Sequence, residues 1–344
     1  MSTLEQRITA VKDPYTDQPI GAAATIEPEH IRLCLGYPAQ SQQNAWQQRL
    51  ITDKPVQLET KVATHAVQKT LKPLPNIKNI IAVGSGKGGV GKSTTAVNLA
   101  LALQYEGAQV GILDADIYGP SLGVMLGMEG RPDLYDEKTM QPKTPYGLQA
   151  NSIGLLVDQE TPMIWRGPMV TQALQQLLSE THWQNLDYLI IDLPPGTGDI
   201  QLTLAQKIPV SAAIVVSTPQ DIALLDARRA IKMFEKVDVP VLGVVENMST
   251  HICSACGHEE AIFGQGGGQL MADSFRLPLL GQLPLDISIR QFTDSGQPSV
   301  AADPDSAISQ RYRDIARHAT ALLSLRPKSY AHKFPAVAVE PRQS

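Results

Sequence analysis

Gly86-Lys87-Gly88-Gly89-Val90-Gly91-Lys92-Ser93-Thr94 decides how the rest of the chain is read. It fits the pattern G-x-x-x-x-G-K-[ST], in which backbone amides cradle phosphate oxygens. An apolar run, Ile80-Ile81-Ala82-Val83, precedes it. The segment Ala96-Val97-Asn98-Leu99-Ala100-Leu101-Ala102-Leu103 follows with a helical pattern. Strand, loop and helix are therefore expected in the order a phosphate loop needs. The glycines let the backbone wrap closely around an anion. The positive end of the following helix then faces it. Residues Gly86, Gly88, Gly89, Val90, Gly91, Lys92, Ser93 and Thr94 are the expected nucleotide cradle. Lys92 should reach the β/γ-phosphates of ATP, and Ser93 should ligate Mg²⁺.

Outward from that loop, strand-like runs occupy 79–84, 109–114, 187–192, 211–217, 240–246 and 278–283. Most are apolar throughout, as strands covered on both faces are. Helical patterns alternate with them at 92–106, 168–181, 199–207, 221–237 and 306–324. The expected fold is α/β: a doubly wound, mostly parallel sheet of the P-loop NTPase type. Residues 1–70 differ, being rich in Gln and Thr, and suggest a small divergent α+β module. Its expected elements are a strand at Ile31–Leu35, a polar helix at Ser41–Leu50 and a strand around 56–62. Residues 71–78 read as a proline-bearing linker, 79–325 as the ATPase domain, and 326–344 as a disordered tail.

Ligands in such sheets bind at the carboxyl ends of the strands. Two acids, Asp114 and Asp116, end the run Val110 to Asp116. A third, Asp192, ends Leu189-Ile190-Ile191-Asp192, followed by Leu193-Pro194-Pro195-Gly196. Carboxylates there suit magnesium-bound waters and an attacking water. Asn247 ends Val244-Val245-Glu246-Asn247, and its amide offers a donor and an acceptor together.

Downstream of Asn247 comes His251-Ile252-Cys253-Ser254-Ala255-Cys256-Gly257-His258. Cys253 and Cys256 stand at metal-ligand spacing. A thioredoxin-like redox pair, a structural zinc site using His251 or His258, and a labile bridging cluster all use such spacing. One pair cannot complete a four-sulfur site, but two copies of the loop across a two-fold axis can. Cys34, alone in the small module, reads as a core residue.

Composition narrows the function classes. The net charge of −5 gives no basic footprint for nucleic acid. No apolar run approaches the ~18 residues of a membrane span. The start, Met-Ser-Thr-Leu-Glu-Gln-Arg, lacks a signal-peptide core. Three cysteines do not form a disulfide framework, so a reducing cytoplasm is expected.

Lys87, a second lysine on the phosphate loop, makes the loop resemble the deviant Walker A ATPases, which include MinD and the nitrogenase iron protein. That resemblance implies that Lys87 reaches a partner's nucleotide and is catalytic together with Lys92 and Asp116. It further implies that Asp114 and Asp192 hold magnesium through water, that Gly196 senses the γ-phosphate, and that Asn247 binds adenine. The motifs at 86–93, Asp114 to Ser121, Trp165 to Met169, Asp192 to Asp199, Glu246 to Ser249 and Cys253 to Gly257 together resemble the Mrp/ApbC family of P-loop iron–sulfur cluster carriers. This likeness covers about 77–325. It implies a homodimer that holds a [4Fe-4S] cluster between paired Cys253 and Cys256. It also implies slow ATP hydrolysis, a scaffold or donor protein, and delivery to apo iron–sulfur proteins. The family often carries an N-terminal domain of the DUF59 type, from which residues 1–70 diverge. A MinD-like positioning ATPase and a zinc-stapled ATPase are the alternatives. The first requires a basic amphipathic C-terminal segment, whereas Ile308, Tyr312, Ile315 and Leu322 read as the stripe of a core helix.

Overall fold

The computed structural model describes residues 3–156, 167–253 and 255–329. The N-terminal module comprises α1 (Leu4–Ala10), β1 (Ala24–Ile26), β2 (Ile31–Leu35), α2 (Gln43–Leu50) and β3 (Val56–Thr60). Its three strands form a separate sheet in the order β1-β2-β3. Alternation along β2 buries Ile31, Leu33 and Leu35 with Trp46 and Leu50 of α2.

The larger domain runs β4 (Ile77–Gly84), α3 (Lys92–Tyr105), β5 (Val110–Asp114), α4 (Leu122–Met125), β6 (Gln149–Ser152), α5 (Gly167–Ser179), β7 (Leu186–Asp192), α6 (Asp199–Lys207), β8 (Ala212–Ser217), α7 (Asp221–Lys236) and β9 (Val241–Glu246). It continues with β10 (His251–Ile252), β11 (Glu259–Glu260), α8 (Gly267–Ser274), β12 (Leu279–Gln282), α9 (Ile287–Asp294), α10 (Ser299–Ala302) and α11 (Ala307–Ser324). Seven parallel strands stand in the order β12-β9-β8-β4-β7-β5-β6. β4 lies at the centre, so the loop after it emerges in the middle of the sheet's carboxyl edge. Its side chains alternate between two cores. Ile81 and Val83 pack with α3 and α11 on one face, while Ile80 and Ala82 pack with α5 and α7 on the other.

The doubly wound expectation is met. One boundary shifts: residues 77 and 78, placed in the linker by sequence, belong to β4. The edge strand β6, Gln-Ala-Asn-Ser, carried no apolar run to announce it, because its partner β5 supplies the apolar pairing. The stripe on α11 is core, with Tyr312 and Ile315 fully buried. Of the tail expected to be disordered, 326–329 pairs with the segment after β3. Ala66 N donates to Pro327 O, and Ser329 N donates to Thr64 O. Residues 330–344 lie outside the described residues, as do Trp165 and Arg166.

The module is joined to the larger domain through buried charge. Glu106, fully buried, accepts from Ser41 N at 2.9 Å and Ser41 Oγ at 2.7 Å. Arg317 of α11 pairs with Glu106 and donates to Tyr15 Oη at 2.7 Å. Residues after β3 add a further tie, as Gln68 Nε2 donates to Ala205 O and Ile208 O at the end of α6.

Candidate nucleotide site and cysteine hairpin

The loop after β4 is glycine-rich for local steric reasons. Gly89 and Gly91 adopt φ of 79° and 78°, which a side chain disfavours. A Cβ on Gly86 would lie 2.1 Å from the Asp226 backbone of α7, so that helix seats directly on the loop. At Gly89 a Cβ would meet nothing within 4 Å, so this rim of the cradle is open. Gly91 caps α3 without a side chain, and the first-turn amides of Lys92, Ser93 and Thr94 have no intrahelical acceptor.

Charges converge beneath that opening. Lys92 Nζ stands 2.7 Å from Asp192 Oδ1, 3.2 Å from Ser93 Oγ and 3.6 Å from Asp116 Oδ2. Lys92 and both acids are buried, Asp192 completely. Asp116 Oδ1 and Asp192 Oδ2 are buried without a hydrogen-bond partner among the described residues. Buried carboxylate oxygens are costly unless something answers them, which a magnesium ion and its waters would do. Complete burial raises the pKa of Asp192, and Lys92 opposes that rise. Ser93, Asp116 and Asp192 thus form a hydroxyl-and-carboxylate set that fits magnesium.

Asp114 is differently employed. Its Oδ1 accepts from Asp116 N at 3.0 Å. Its Oδ2 accepts from Ser121 N and Ser152 Oγ at 3.0 Å, and from Leu122 N at 3.2 Å. Burial, then the charge of Asp192, pushes its pKa up to about 7. Its contacts with Asp116, Ser121 and Leu122 fold the loop that presents Asp116, and its contact with Ser152 ties that loop to β6. Ser121 entered the sequence reading only as the end of the 114–121 motif, and Ser152 was missed in the sequence.

Asn247 and Gly196 are also engaged with backbone. Asn247 Nδ2 donates to Val90 O at 2.8 Å, on the phosphate loop itself. Gly196, at φ 99°, donates its amide to Ser85 O at 2.9 Å. Lys87 is half-buried, and no hydrogen bond or ion pair reaches its ammonium among the described residues. Glu246, also missed, accepts from Gly268 N and Gln282 Nε2 at 2.6 Å and so fixes the start of α8. The run Gly264-Gln265-Gly266-Gly267-Gly268 was its sequence signal.

The cysteines sit in a hairpin. β10 pairs antiparallel with β11, and the turn between them holds Cys253, Ala255, Cys256 and Gly257. Cys253 N donates to His258 O at 2.9 Å, and Gly257 N to Cys253 O at 2.8 Å. The amides of Ala255 and Cys256 bond to Cys253 Sγ, which lowers its pKa toward the thiolate that metals bind. Cys253 is half-buried and Cys256 exposed. Among the described residues no group of three or more His, Cys, Asp or Glu side chains is placed to hold a metal. One chain therefore offers two thiols, without His251 or His258.

A phosphate loop at the centre of a parallel sheet, with buried acids at the neighbouring strand ends, defines a P-loop NTPase. A family model described as the ParA-type NUBPL iron-transfer P-loop NTPase matches residues 76–320, and the chain belongs to that family. The iron–sulfur cluster carrier protein of Pseudomonas fragi is 56% identical over 268 residues, 77% of this chain and 93% of the relative. The mouse iron–sulfur cluster transfer protein NUBPL is 44% identical over 313 residues, 90% of this chain and 95% of the relative. Among solved structures, a nucleotide-binding protein from Archaeoglobus fulgidus in complex with ADP aligns with a TM-score of 0.58 at 36% identity. The alignment covers 64% of this chain and 88% of that one.

Proposed function

We propose that this protein is an ATP-hydrolysing iron–sulfur cluster carrier. As a homodimer it holds a [4Fe-4S] cluster between two hairpins and transfers it to apo-proteins. One observation carries the reading: a nucleotide site after β4 and a two-thiol hairpin after β9 share the carboxyl edge of one sheet, in a chain whose relatives are named as cluster carriers. The cluster is cargo, received from a scaffold or donor protein. Two free surface thiols suit a reducing cytoplasm. No helix among the described residues is long and apolar enough to cross a membrane.

In the hydrolysis site, loop amides and Lys92 bind the phosphates, so Lys92 exchanges Asp192 for a phosphoryl oxygen. Ser93 and Asp192 would hold magnesium, which neutralises charge on the phosphates. Asp116 orients and deprotonates the attacking water, and Asp114 fixes the loop that carries it. Lys87 acts across the dimer on the partner's nucleotide. Gly196 exchanges Ser85 O for the γ-phosphate, which would couple the 192–199 segment to nucleotide state. Asn247 keeps an acceptor for the adenine edge while donating to Val90.

The test is iron, sulfide and zinc content of anaerobically reconstituted protein, with its absorption spectrum. About two irons and two sulfides per chain, lost in Cys253→Ala, are expected of a [4Fe-4S] cluster shared by two chains. Tight zinc at about half an equivalent, unmoved by reconstitution, would leave only a zinc-stapled ATPase.

A further inference from the structure

The route from nucleotide to hairpin is short and continuous. Asn247 donates to Val90 O inside the phosphate loop, and a Cβ on Gly91 would fall 2.2 Å from Asn247 Nδ2. Cys253 follows six residues later, within ~20 Å even of fully extended chain. Between them, Met248 holds φ at 56°, a left-handed conformation that non-glycine residues adopt at a cost. Ser249 then bonds through both N and Oγ to Leu283 O, and Thr250 O accepts from Leu285 N. Thr250 Oγ1 and Arg311 reach Glu259 on the opposite strand of the hairpin. Among the described residues, the polar contacts of 249–260 with other segments go to Leu283, Leu285 and Arg311, and none goes to 192–199. The segment after Asp192 leads elsewhere, into α6, whose end is held by Gln68.

We infer that Asn247 is a positioning residue that couples the phosphate loop to the cysteine hairpin, with Met248 as its hinge. A nucleotide that shifts the Val90 carbonyl or engages the Asn247 amide moves the hinge, and with it the geometry at Cys253 and Cys256. This deepens the carrier reading and rests on it for its purpose, but the coupling itself can be read without a cluster.

The experiment follows alkylation of Cys253 and Cys256 by iodoacetamide in the full-length, cluster-free protein, resolved by peptide mass spectrometry. Cys34 serves as the internal control. Rates are compared with and without magnesium and a non-hydrolysable ATP analogue, at concentrations shown to saturate each variant. In the wild type, nucleotide should change the hairpin rates about fivefold, the lower end of ordinary coupling between sites, and leave Cys34 unmoved. Asn247→Ala should abolish that response. Met248→Gly keeps the Asn247–Val90 bond and removes the left-handed strain, so it should retain nucleotide binding with a weakened response. A merely structural role for Asn247 would shift the rates with and without nucleotide alike and keep their ratio. A full response in both variants, or none in saturated wild type, would overturn the coupling. Failure of the carrier reading would show separately, as a thiol response in protein that takes up no iron or sulfide.

Discussion

Lys92, Asp116 and Asp192 are held between two hydrophobic layers at the edge of a seven-stranded sheet. Cys253 and Cys256 are held by two strands of two residues each. The first site is buried and charge-paired, with two carboxylate oxygens that have no hydrogen-bond partner among the described residues. The second lies at the surface, with Cys256 exposed and Cys253 half-buried, and offers two thiols. A site that must bind a nucleotide, orient water and exclude solvent gains from burial. A site that must accept and surrender cargo gains from access and from needing a second copy, because weakening the pairing of copies then opens it.

The largest effects should break the two sites independently. Cys253→Ser with Cys256→Ser should abolish cluster uptake, measured as iron and sulfide per chain. Folding stability should change by no more than ~0.5 kcal/mol, since the pair lies at the surface. Equal loss of folding would mean that the hairpin is a structural staple. Lys87→Ala should lower the steady-state rate of ATP hydrolysis by about 10³-fold, the low end for a cation acting on a transferring phosphoryl group, with nucleotide affinity nearly kept. A loss below about tenfold would remove Lys87 from the reaction and leave the site complete within one chain.

The contrast also explains what could be read in the sequence. The phosphate loop is a local code, because its glycines, Lys92 and Ser93 serve backbone geometry and phosphate chemistry within nine consecutive residues. Buried parallel strands announced themselves as apolar runs. β6 escaped because it carries no apolar run, α8 because glycines begin it, and α9 because it is only eight residues long. The donors to Asp114 and the Asn247–Val90 bond were invisible, since they join residues that are far apart in the chain or tied by backbone atoms of any identity. Cys253 and Cys256 were legible as a pair from their spacing alone.

A smaller effect sharpens the boundary between the N-terminal module and the ATPase domain. Arg317→Met leaves fully buried Glu106 with only Ser41 and the distant Arg313, whose Nε stands 4.0 Å away. Breaking one side of a buried pair should cost about 3–5 kcal/mol, read from urea denaturation. A cost near zero would mean that the module is joined by its apolar contacts alone.

The subtlest prediction concerns the pH dependence of the buried site. Asp114 titrates at about 7 in the fold, because burial and the neighbouring Asp192 disfavour its charge. In the unfolded chain it titrates near its ordinary value of 3.8. The fold therefore holds the proton more tightly than the unfolded chain does. The contribution of Asp114 is whole below about pH 4 and is lost as pH rises through about 7. At 1.36 kcal/mol per pH unit, the loss is of order 4 kcal/mol. Asp192 is raised as well, so the wild-type slope alone cannot be assigned to one residue. Asp114→Asn separates them. Its amide would face N–H donors from Asp116, Ser121 or Leu122, so stability should fall at every pH. Its slope between about pH 5 and about pH 8 should nevertheless be shallower than that of the wild type. A lower level with an unchanged slope would mean that Asp114 is ionised throughout, and that the loop presenting Asp116 is held by charge rather than by a shared proton.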